Sequence, residues 1–239
     1  MKTKRNIRVL AIVPSAGMGT RMGTRKKNLL PILGRPVLAR TLDALEACPN
    51  VDSIVIATRT EKTVAEIVGR YGFKKVEKIV RGGKTRQDSV SNALPSVDGG
   101  YDIILVHDGA RPLVTPETVS ECIKAALRCG AAVAAVPVKD TIKEAFGGRV
   151  ARTIPRDGLW SVQTPQAFRS KILFEAHLRA RKDRFNGTDE SSLVERLGFE
   201  VAIVEGSYEN IKITTREDLV ITESILRSRE GCIPAARPS

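Results

Sequence analysis

Short apolar runs recur along the chain, with longer segments of mixed hydrophobic and polar positions between them. The runs have the length and the near-continuous hydrophobicity of strands that are covered on both faces. They fall at residues 7–13, 51–57, 102–108, 131–138 and 199–205. The segments between them predict helices at residues 35–48, 60–72, 86–97 and 115–130. This alternation predicts an α/β fold, a mostly parallel twisted sheet with helices on both faces.

The alternation breaks between residues 139 and 162. Two short extended pieces flank Gly147 and Gly148 there, and paired glycines between strand-like runs are typical of a β-hairpin. We expect the hairpin to project as an arm that makes a dimer contact, the alternative being an ordinary edge hairpin. Since no repeat or linker divides the chain, we predict one domain over residues 1–239, with a frayed tail at 228–239.

The charge of the chain narrows the class of ligand. The formal net charge is +12, while aromatic residues make up only 4% of the sequence. Such a charge attracts nucleic acid, an anionic membrane or a small phosphorylated ligand, and a solvated basic surface would also explain it. The basic stretches lack aromatic residues for base stacking, which argues against a single-strand binder. No apolar run approaches the ~18 residues that a membrane span needs.

The cysteines indicate the compartment. The four cysteines are scattered and only two histidines are present, so neither a zinc site nor a disulfide framework is expected. Reduced cysteines are typical of a cytoplasmic protein, which is where we expect this chain. Basic residues precede the first apolar run, as in a signal peptide. That run is short and contains Arg8, so we interpret it as a strand.

Three loops at the expected carboxyl edge of the sheet share chemistry suited to phosphates. Residues 14–28 are rich in glycine and cations without forming a Walker A loop or a complete dinucleotide fingerprint, and residues 81–89 repeat the theme. Asp108, at the end of a predicted strand, is placed to hold Mg²⁺. Arg111 can bind a second phosphate or form a salt bridge to Asp108, and His107 is expected to pack or cap locally. Together these loops predict a polyphosphate site.

Seven motifs in this order carry a resemblance to a known family. They are PSAGMGTRM (14–22), GGKTRQDSV (82–90), VHDGARP (106–112), PVKDTIK (137–143), WSVQTPQAF (160–168), GTDESSLVE (187–195) and EGSYENIKITTREDL (205–219). From about residue 7 to residue 226 the chain resembles the 2-C-methyl-D-erythritol 4-phosphate cytidylyltransferases of the non-mevalonate isoprenoid pathway. The resemblance implies a Rossmann-like nucleotidyltransferase fold, Mg²⁺ as cofactor and a homodimer joined through the arm. It also implies the reaction: the phosphate of methylerythritol phosphate attacks the α-phosphate of CTP, giving 4-diphosphocytidyl-2-C-methyl-D-erythritol and pyrophosphate.

The same resemblance implies roles for single residues. The catalytic residues would be Arg21, Lys27, Asp108 and Lys212, with Asp108 as the Mg²⁺ ligand. The nucleotide would be bound by Ser15, Ala16, Gly17, Gly19, Gly83, Lys84, Ser89 and Gly109. The second substrate would be bound by Arg111, Thr141, Arg156, Thr164, Thr188 and Lys212. Thr141 and Arg156, on the arm, could serve the site of the neighbouring subunit. Asp189 and Glu190 are expected to order their loop, because a phosphate nucleophile needs no base at neutral pH.

Several alternatives stay open on the sequence. Many family members have Pro-Lys-Gln where this chain has Lys26-Lys27-Asn28, and the downstream PILGRP favours Lys27 as the catalytic lysine. Ribitol 5-phosphate cytidylyltransferases share the glycine loop and the mechanism, although RTIPRDGLW and GTDESSLVER favour methylerythritol phosphate. The element GGKTRQDS argues against a sugar-1-phosphate nucleotidyltransferase that uses another nucleotide. A nucleic-acid-binding protein would explain the charge, but it predicts steeply salt-dependent binding and no such module is recognisable.

Overall fold

The computed structural model describes residues 7–17, 27–96, 100–229 and 231. In chain order the strands are β1 (Val9–Pro14), β2 (Pro31–Ile32), β3 (Arg35–Pro36), β4 (Ser53–Thr58), β5 (Val76–Arg81), β6 (Ile103–Val106), β7 (Ala131–Pro137), β8 (Ile142–Phe146), β9 (Arg149–Ile154), β10 (Trp160–Arg169) and β11 (Ala202–Glu205). The helices are α1 (Val37–Ala47), α2 (Glu61–Tyr71), α3 (Arg86–Ala93), α4 (Pro116–Cys129), α5 (Ser170–Lys182), α6 (Glu190–Glu195) and α7 (Arg216–Arg229).

Seven of these strands form one sheet in the order β11-β7-β10-β6-β1-β4-β5. All neighbouring pairs are parallel except the two that involve β10, which runs antiparallel to both β6 and β7. The prediction of a mostly parallel α/β sheet is therefore confirmed. Because β1, β5 and β6 are parallel, their carboxyl ends lie at the same edge, and the three phosphate-type loops begin there.

Helices cover both faces of the sheet, and the sequence of β1 shows why. All six of its residues are buried, and successive side chains point to opposite faces. Val9, Ala11 and Val13 pack with the apolar faces of α1, α2 and α4. Leu10 and Ile12 pack with α3, α5 and α6 on the other side. A strand buried on both faces needs a continuous apolar run, which is the pattern that predicted it.

The predicted arm exists as a separate two-stranded sheet of β8 and β9. Gly147 and Gly148 form its turn with φ of 55° and 76°, a left-handed conformation that glycine adopts without strain. The predicted range 139–162 is too long at its end. Residues 160–162 instead begin β10 and pair with the last residues of β7, because the chain re-enters the main sheet at Trp160.

The predicted tail is described only in part. Ser228 and Arg229 belong to α7, and Arg229 Nη2 donates to Glu209 Oε2 at 2.7 Å. Of the remaining tail residues, all except Gly231 lie outside the described residues. Within the described ranges, no helix has both the length and the apolar character required to traverse a bilayer.

Candidate active site

A cavity of about 120 Å³ opens at the carboxyl ends of β1, β5 and β6. The predicted site residues that line it are Ala16, Gly17, Lys27, Gly83, Lys84, Ser89, Asp108 and Lys212. Pro14, Asn28, Thr85, Arg86 and Ala110 complete the lining. Residues from five separate stretches of the chain therefore meet at the edge where the loop pattern predicted a phosphate site.

The second glycine loop needs Gly82 and Gly83 because a side chain has no room at either position. A Cβ added to Gly82 would lie 2.3 Å from the Cβ of Ala16, and one added to Gly83 would lie 2.1 Å from the Cβ of Asp88. Neither distance is possible for real atoms, and Asp88 is fixed in the capping box that Thr85 makes at the start of α3. These glycines shape the pocket wall by close packing.

Two serines predicted to bind the nucleotide also hold the loops in place. Ser15 Oγ accepts a hydrogen bond of 2.7 Å from Asn28 Nδ2, which ties the first loop to the 3-10 turn that begins at Lys27. Ser89 is buried, donates to the Thr85 carbonyl at 2.9 Å and accepts from the Gly83 backbone N–H at 3.1 Å. Ser89 therefore stabilises the second loop locally, and it lines the cavity as well.

Asp108 is the centre of charge in the pocket. Its Oδ1 accepts from Arg86 Nε at 2.8 Å, and its Oδ2 lies 2.6 Å from Lys212 Nζ and 3.8 Å from Arg111 Nε. Arg86 also donates through Nη1 to Glu190 Oε2, a carboxylate that is only 1% exposed. Arg86 thus bridges two acidic side chains that lie 82 residues apart in the chain.

Burial and ion pairing act in opposite directions on these groups. Burial alone would raise the pKa of Asp108, but Arg86, Lys212 and Arg111 outweigh it and hold that pKa far below its ordinary value. For Glu190 burial wins, and its pKa is raised although Arg86 opposes the shift. Partial burial would lower the pKa of Arg86, but the two carboxylates outweigh it and raise the pKa of its guanidinium. Asp108 is therefore an anion over the whole physiological pH range.

His107 and Thr164 fix the position of Asp108 from behind. His107 is fully buried, its Nε2 is 3.2 Å from the Arg111 carbonyl, and its Nδ1 is 3.1 Å from Thr164 Oγ1. Because a carbonyl only accepts, Nε2 carries the proton and the Thr164 hydroxyl donates to Nδ1. Thr164 Oγ1 in turn accepts the Asp108 backbone N–H at 3.0 Å. Burial lowers the pKa of His107 to about 4, which keeps this relay neutral and confirms the packing role predicted for the histidine.

A late segment of the chain supplies the opposite wall. The backbone N–H of Ile213 donates to the Ala110 carbonyl at 2.8 Å, and Lys27 Nζ donates to the Ile213 carbonyl at 3.0 Å. Asn210 is buried and donates to the Thr164 carbonyl at 2.8 Å. This anchoring places Lys212, which lies between Asn210 and Ile213, beside Asp108.

Comparison with known proteins assigns the family. The family model of 2-C-methyl-D-erythritol 4-phosphate cytidylyltransferase matches residues 9–228. The chain belongs to this family. A curated relative with that name from Pelotomaculum thermopropionicum is 47% identical over 96% of this chain and 98% of its own length. Another, from Syntrophotalea carbinolica, is 46% identical over 91% of this chain and 96% of its own length.

Solved structures agree with that assignment. The structure titled 4-diphosphocytidyl-2C-methyl-D-erythritol synthase from Anaerococcus prevotii superposes with a TM-score of 0.82 at 32% identity, covering 92% of this chain and 96% of that chain. The cytidylyltransferase from Thermus thermophilus gives a TM-score of 0.76 at 34% identity, covering 92% of this chain and 100% of that chain. The chain is therefore a CTP-dependent nucleotidyltransferase of the non-mevalonate isoprenoid pathway.

Of the remaining predicted site residues, those that the structure describes do not line the cavity. Arg111 and Thr164 lie behind Asp108, where they hold the loop after β6, and Gly109 is buried beneath it, with its N–H on the Pro14 carbonyl at 3.3 Å. Thr141 and Arg156 are exposed beside the arm, and Thr188 is exposed in the loop before α6. Gly19 and Arg21 lie outside the described residues.

Two residues of the charge cluster were absent from the predicted site. Arg86 reads in the sequence as one more cation of a basic glycine loop, and Glu190 as an acidic residue at a helix start. Asp189 does cap α6, accepting the Ser192 N–H at 3.0 Å, so its predicted ordering role is confirmed. The only signal for the ion pair was that both residues fall inside motifs of the family.

The residues of the pocket fit a divalent cation delivered with a polyphosphate. Mg²⁺ is commonly held by one or two carboxylates together with substrate phosphates and water. Asp108 is such a carboxylate, fully ionised and at the pocket wall. Within the described residues no group of three or more His, Cys, Asp and Glu side chains is placed to hold a metal ion.

Proposed function

We propose that the pocket at Asp108 is where the phosphate of methylerythritol phosphate attacks the α-phosphorus of CTP and releases pyrophosphate. The observation that supports this assignment is the meeting of Asp108, Lys27 and Lys212 between two glycine loops at one sheet edge. The bond formed joins the acceptor phosphate oxygen to the α-phosphorus. The bond broken joins the α-phosphorus to the bridging oxygen of the leaving pyrophosphate.

The chain contributes position and positive charge to this displacement, and it forms no covalent intermediate. Lys212 and Lys27 face the cavity from the segment after Asn210 and from the turn after the first loop. Their charges stabilise the negative charge that develops on the phosphate oxygens as pyrophosphate leaves. Arg21 is proposed as a third cation of the same kind from the first loop.

The nucleotide would bind along the two glycine loops. The backbone groups of Ala16, Gly17 and Gly83 and the side chain of Lys84 line the cavity there. Ser89 stands at the base of the second loop, and its hydroxyl could meet the edge of a cytosine. The small space between loops in direct contact favours a pyrimidine over the larger purines.

We assign the Mg²⁺ of the reaction to Asp108, with substrate phosphates as its other ligands. When bound, the ion polarises the α-phosphate and neutralises charge on the triphosphate. Both oxygens of Asp108 lie beside cations, Oδ1 beside Arg86 and Oδ2 beside Lys212. The side chain of Lys212 is 36% exposed and that of Arg86 only 22%, so Lys212 is the cation that can turn toward a phosphate.

A homodimer joined through the arm would complete the site. Phe146 and Val150 on the arm are 70% and 63% exposed, and such side chains are typical of a surface that meets a partner. Arg156 and Thr141 lie beside the arm and are not among the described residues that line the cavity of their own chain, so we assign them to the acceptor site of the neighbouring subunit. The free thiols of Cys48, Cys122 and Cys129 support a cytoplasmic location.

The test is pyrophosphate release with CTP and Mg²⁺ and either methylerythritol 4-phosphate or ribitol 5-phosphate as acceptor. We expect release with the first acceptor and its loss in Asp108→Asn and Lys27→Ala. Release only with ribitol phosphate would keep the chemistry and change the acceptor. Release that survives in Asp108→Asn would remove Asp108 from the reaction.

A further inference from the structure

Arg86 occupies one oxygen of the carboxylate that is assigned to the metal. Its Nε donates to Asp108 Oδ1 at 2.8 Å while its Nη1 donates to Glu190 Oε2, so the guanidinium is held from both ends. Its side chain is 22% exposed, against 36% for that of Lys212. Lys212 can leave Asp108 for a phosphate, but Arg86 cannot leave without stranding the buried Glu190.

A fixed cation beside Asp108 would oppose a metal ion. Asp108 and Arg86 together are neutral, and Arg111, 3.8 Å away, adds a further positive charge. Glu190 restores one negative charge to this group from within the protein, where its carboxylate is only 1% exposed and screening by water is weak. With Glu190 ionised in its ion pair with Arg86, the trio of Asp108, Arg86 and Glu190 carries a net charge of −1, as a solitary Asp108 would.

We propose that Glu190 is a positioning residue for the metal: it balances the charge of Arg86, so that Arg86 can orient Asp108 without cancelling its attraction for a divalent cation. Arg86 fixes the carboxylate in direction, in the way that hydrogen bonds from outer partners orient metal ligands elsewhere. Glu190 touches neither substrate nor metal in this arrangement. The inference rests on the assignment of the metal to Asp108.

Glu190 also starts α6, and that structural role predicts a different response. Its backbone N–H donates to Gln166 Oε1 at 3.2 Å, and Gln166 Nε2 donates to Asp189 Oδ2 at 2.6 Å. These bonds do not involve the Glu190 side chain, so Glu190→Gln keeps them. A variant that merely loosened α6 would weaken every ligand of the pocket, whereas loss of charge balance weakens the cation alone.

The experiment measures the cation and the nucleotide separately on the intact protein. Mn²⁺ binding is followed by the loss of its free electron paramagnetic resonance signal in the presence of CTP, beyond the loss that CTP causes in the absence of protein. The acceptor is left out, so no turnover occurs. CTP binding without metal is measured by calorimetry in EDTA. For Glu190→Gln we expect the Mn²⁺ dissociation constant to rise about tenfold, as for other outer partners of metal ligands. Metal-free CTP should bind as tightly as to the wild type or more tightly, because one negative charge is gone.

A double variant separates charge balance from orientation. Glu190→Gln combined with Arg86→Gln removes one charge of each sign and leaves Asp108 at −1, so Mn²⁺ should bind more tightly than to Glu190→Gln alone, and the deficit that remains against the wild type measures the orientation that Arg86 supplied. If Glu190→Gln alone fails to fold, the double variant is compared with the wild type, and a Mn²⁺ dissociation constant more than about 100-fold above the wild-type value would exceed what lost orientation explains. Asp43→Asn, which removes a carboxylate paired with Arg35 away from the cavity, is the matched control.

Four results would overturn the inference or its premise. Mn²⁺ affinity that is unchanged in Glu190→Gln, or lost in parallel with metal-free CTP binding, would leave Glu190 a structural residue. A double variant that binds Mn²⁺ no better than Glu190→Gln would exclude charge balance. Mn²⁺ binding that survives in Asp108→Asn would instead show that the metal assignment in the proposed function is wrong.

Discussion

Two ion pairs in this molecule join the same chemical groups in very different surroundings. Arg86 and Glu190 beside the pocket have side chains that are 22% and 1% exposed, whereas Arg152 and Glu144 on the arm are 68% and 38% exposed. Water screens the arm pair and leaves the pocket pair almost unscreened. The charged side chains of the pocket therefore interact mainly with one another, whereas those of the arm interact mainly with water. The strength of the interaction in an Arg–Glu pair therefore depends on how far its side chains are exposed to water.

The largest effect expected from this contrast is on catalysis. Lys212→Gln removes a cation that lies 2.6 Å from Asp108 at the cavity wall, and we expect kcat/KM to fall about 10²–10³-fold. Lys143→Gln removes an arm lysine whose Nζ donates to Thr153 Oγ1 at 2.6 Å, and kcat/KM should stay within about twofold. Steady-state pyrophosphate release measures both. Equal losses in the two variants would contradict the comparison.

The next effect is on stability. Glu190→Ala leaves Arg86 buried with one of its two carboxylates missing, and breaking a buried pair in this way should lower the free energy of unfolding by about 3 kcal/mol. Glu144→Ala breaks the exposed pair on the arm and should cost between about 0 and 1 kcal/mol. Urea unfolding followed by circular dichroism, at one protein concentration, compares them. A cost for Glu144→Ala as large as for Glu190→Ala would show that exposure does not govern these pairs.

The same difference in burial limited what the sequence could predict. The strands β1, β6 and β7 were predictable because burial on both faces requires continuous apolar runs. The edge strand β5 was missed since its sequence VEKIVR is half exposed and charged. The central strand β10 was missed because glutamines and threonine interrupt its apolar pattern. These polar side chains find partners such as the buried Asn210 and the half-buried Asp189.

The residues of the candidate site likewise fall into those that the sequence could predict and those that it could not. Asp108 was predictable from its place at the end of an apolar strand, and the two glycine loops from their composition. Lys212 came only through the family motif, because nothing local indicates that residue 212 returns to the end of β6. The Arg86–Glu190 pair could not be predicted from the residues themselves, since a long-range ion pair between buried groups leaves no periodic signal. The arm was predictable from Gly147 and Gly148, although its end was placed too late.

A buried histidine, His177, is expected to make the stability of the fold sensitive to acid. Burial, with a smaller contribution from Arg86, lowers the pKa of His177 to about 4, and its Nε2 has no hydrogen-bond partner. Between pH 6.5 and about 4 the unfolded chain binds the proton and the folded chain does not, so this histidine destabilises the fold as pH falls. His177→Leu should remove about 3 kcal/mol of that acid-induced loss and cost little at pH 7.

The measurement is urea unfolding at pH 7 and pH 4.5 for wild type and His177→Leu. Burial also lowers the pKa of His107 to about 4. This histidine is present in both proteins, so it accounts for acid sensitivity that remains in the variant. An identical pH dependence of unfolding in the two proteins would mean that folding does not shift the pKa of His177. A variant destabilised equally at both pH values would report lost packing in place of a changed proton balance.

The smallest expected effect concerns the arm, where apolar exposure matters more than charge. Phe146 is 70% exposed at the end of β8, and burying it against a partner would contribute the free energy of one aromatic side chain. Phe146→Ser should therefore raise the dimer dissociation constant about tenfold, as measured by sedimentation velocity. Leu178→Ser, at 72% exposure on α5, is the matched control and should leave the dissociation constant unchanged. If the arm completes the site of the neighbouring subunit, the activity per subunit of Phe146→Ser should fall on dilution. Activity that stays constant while the dimer dissociates would mean that each active site is formed by one chain alone.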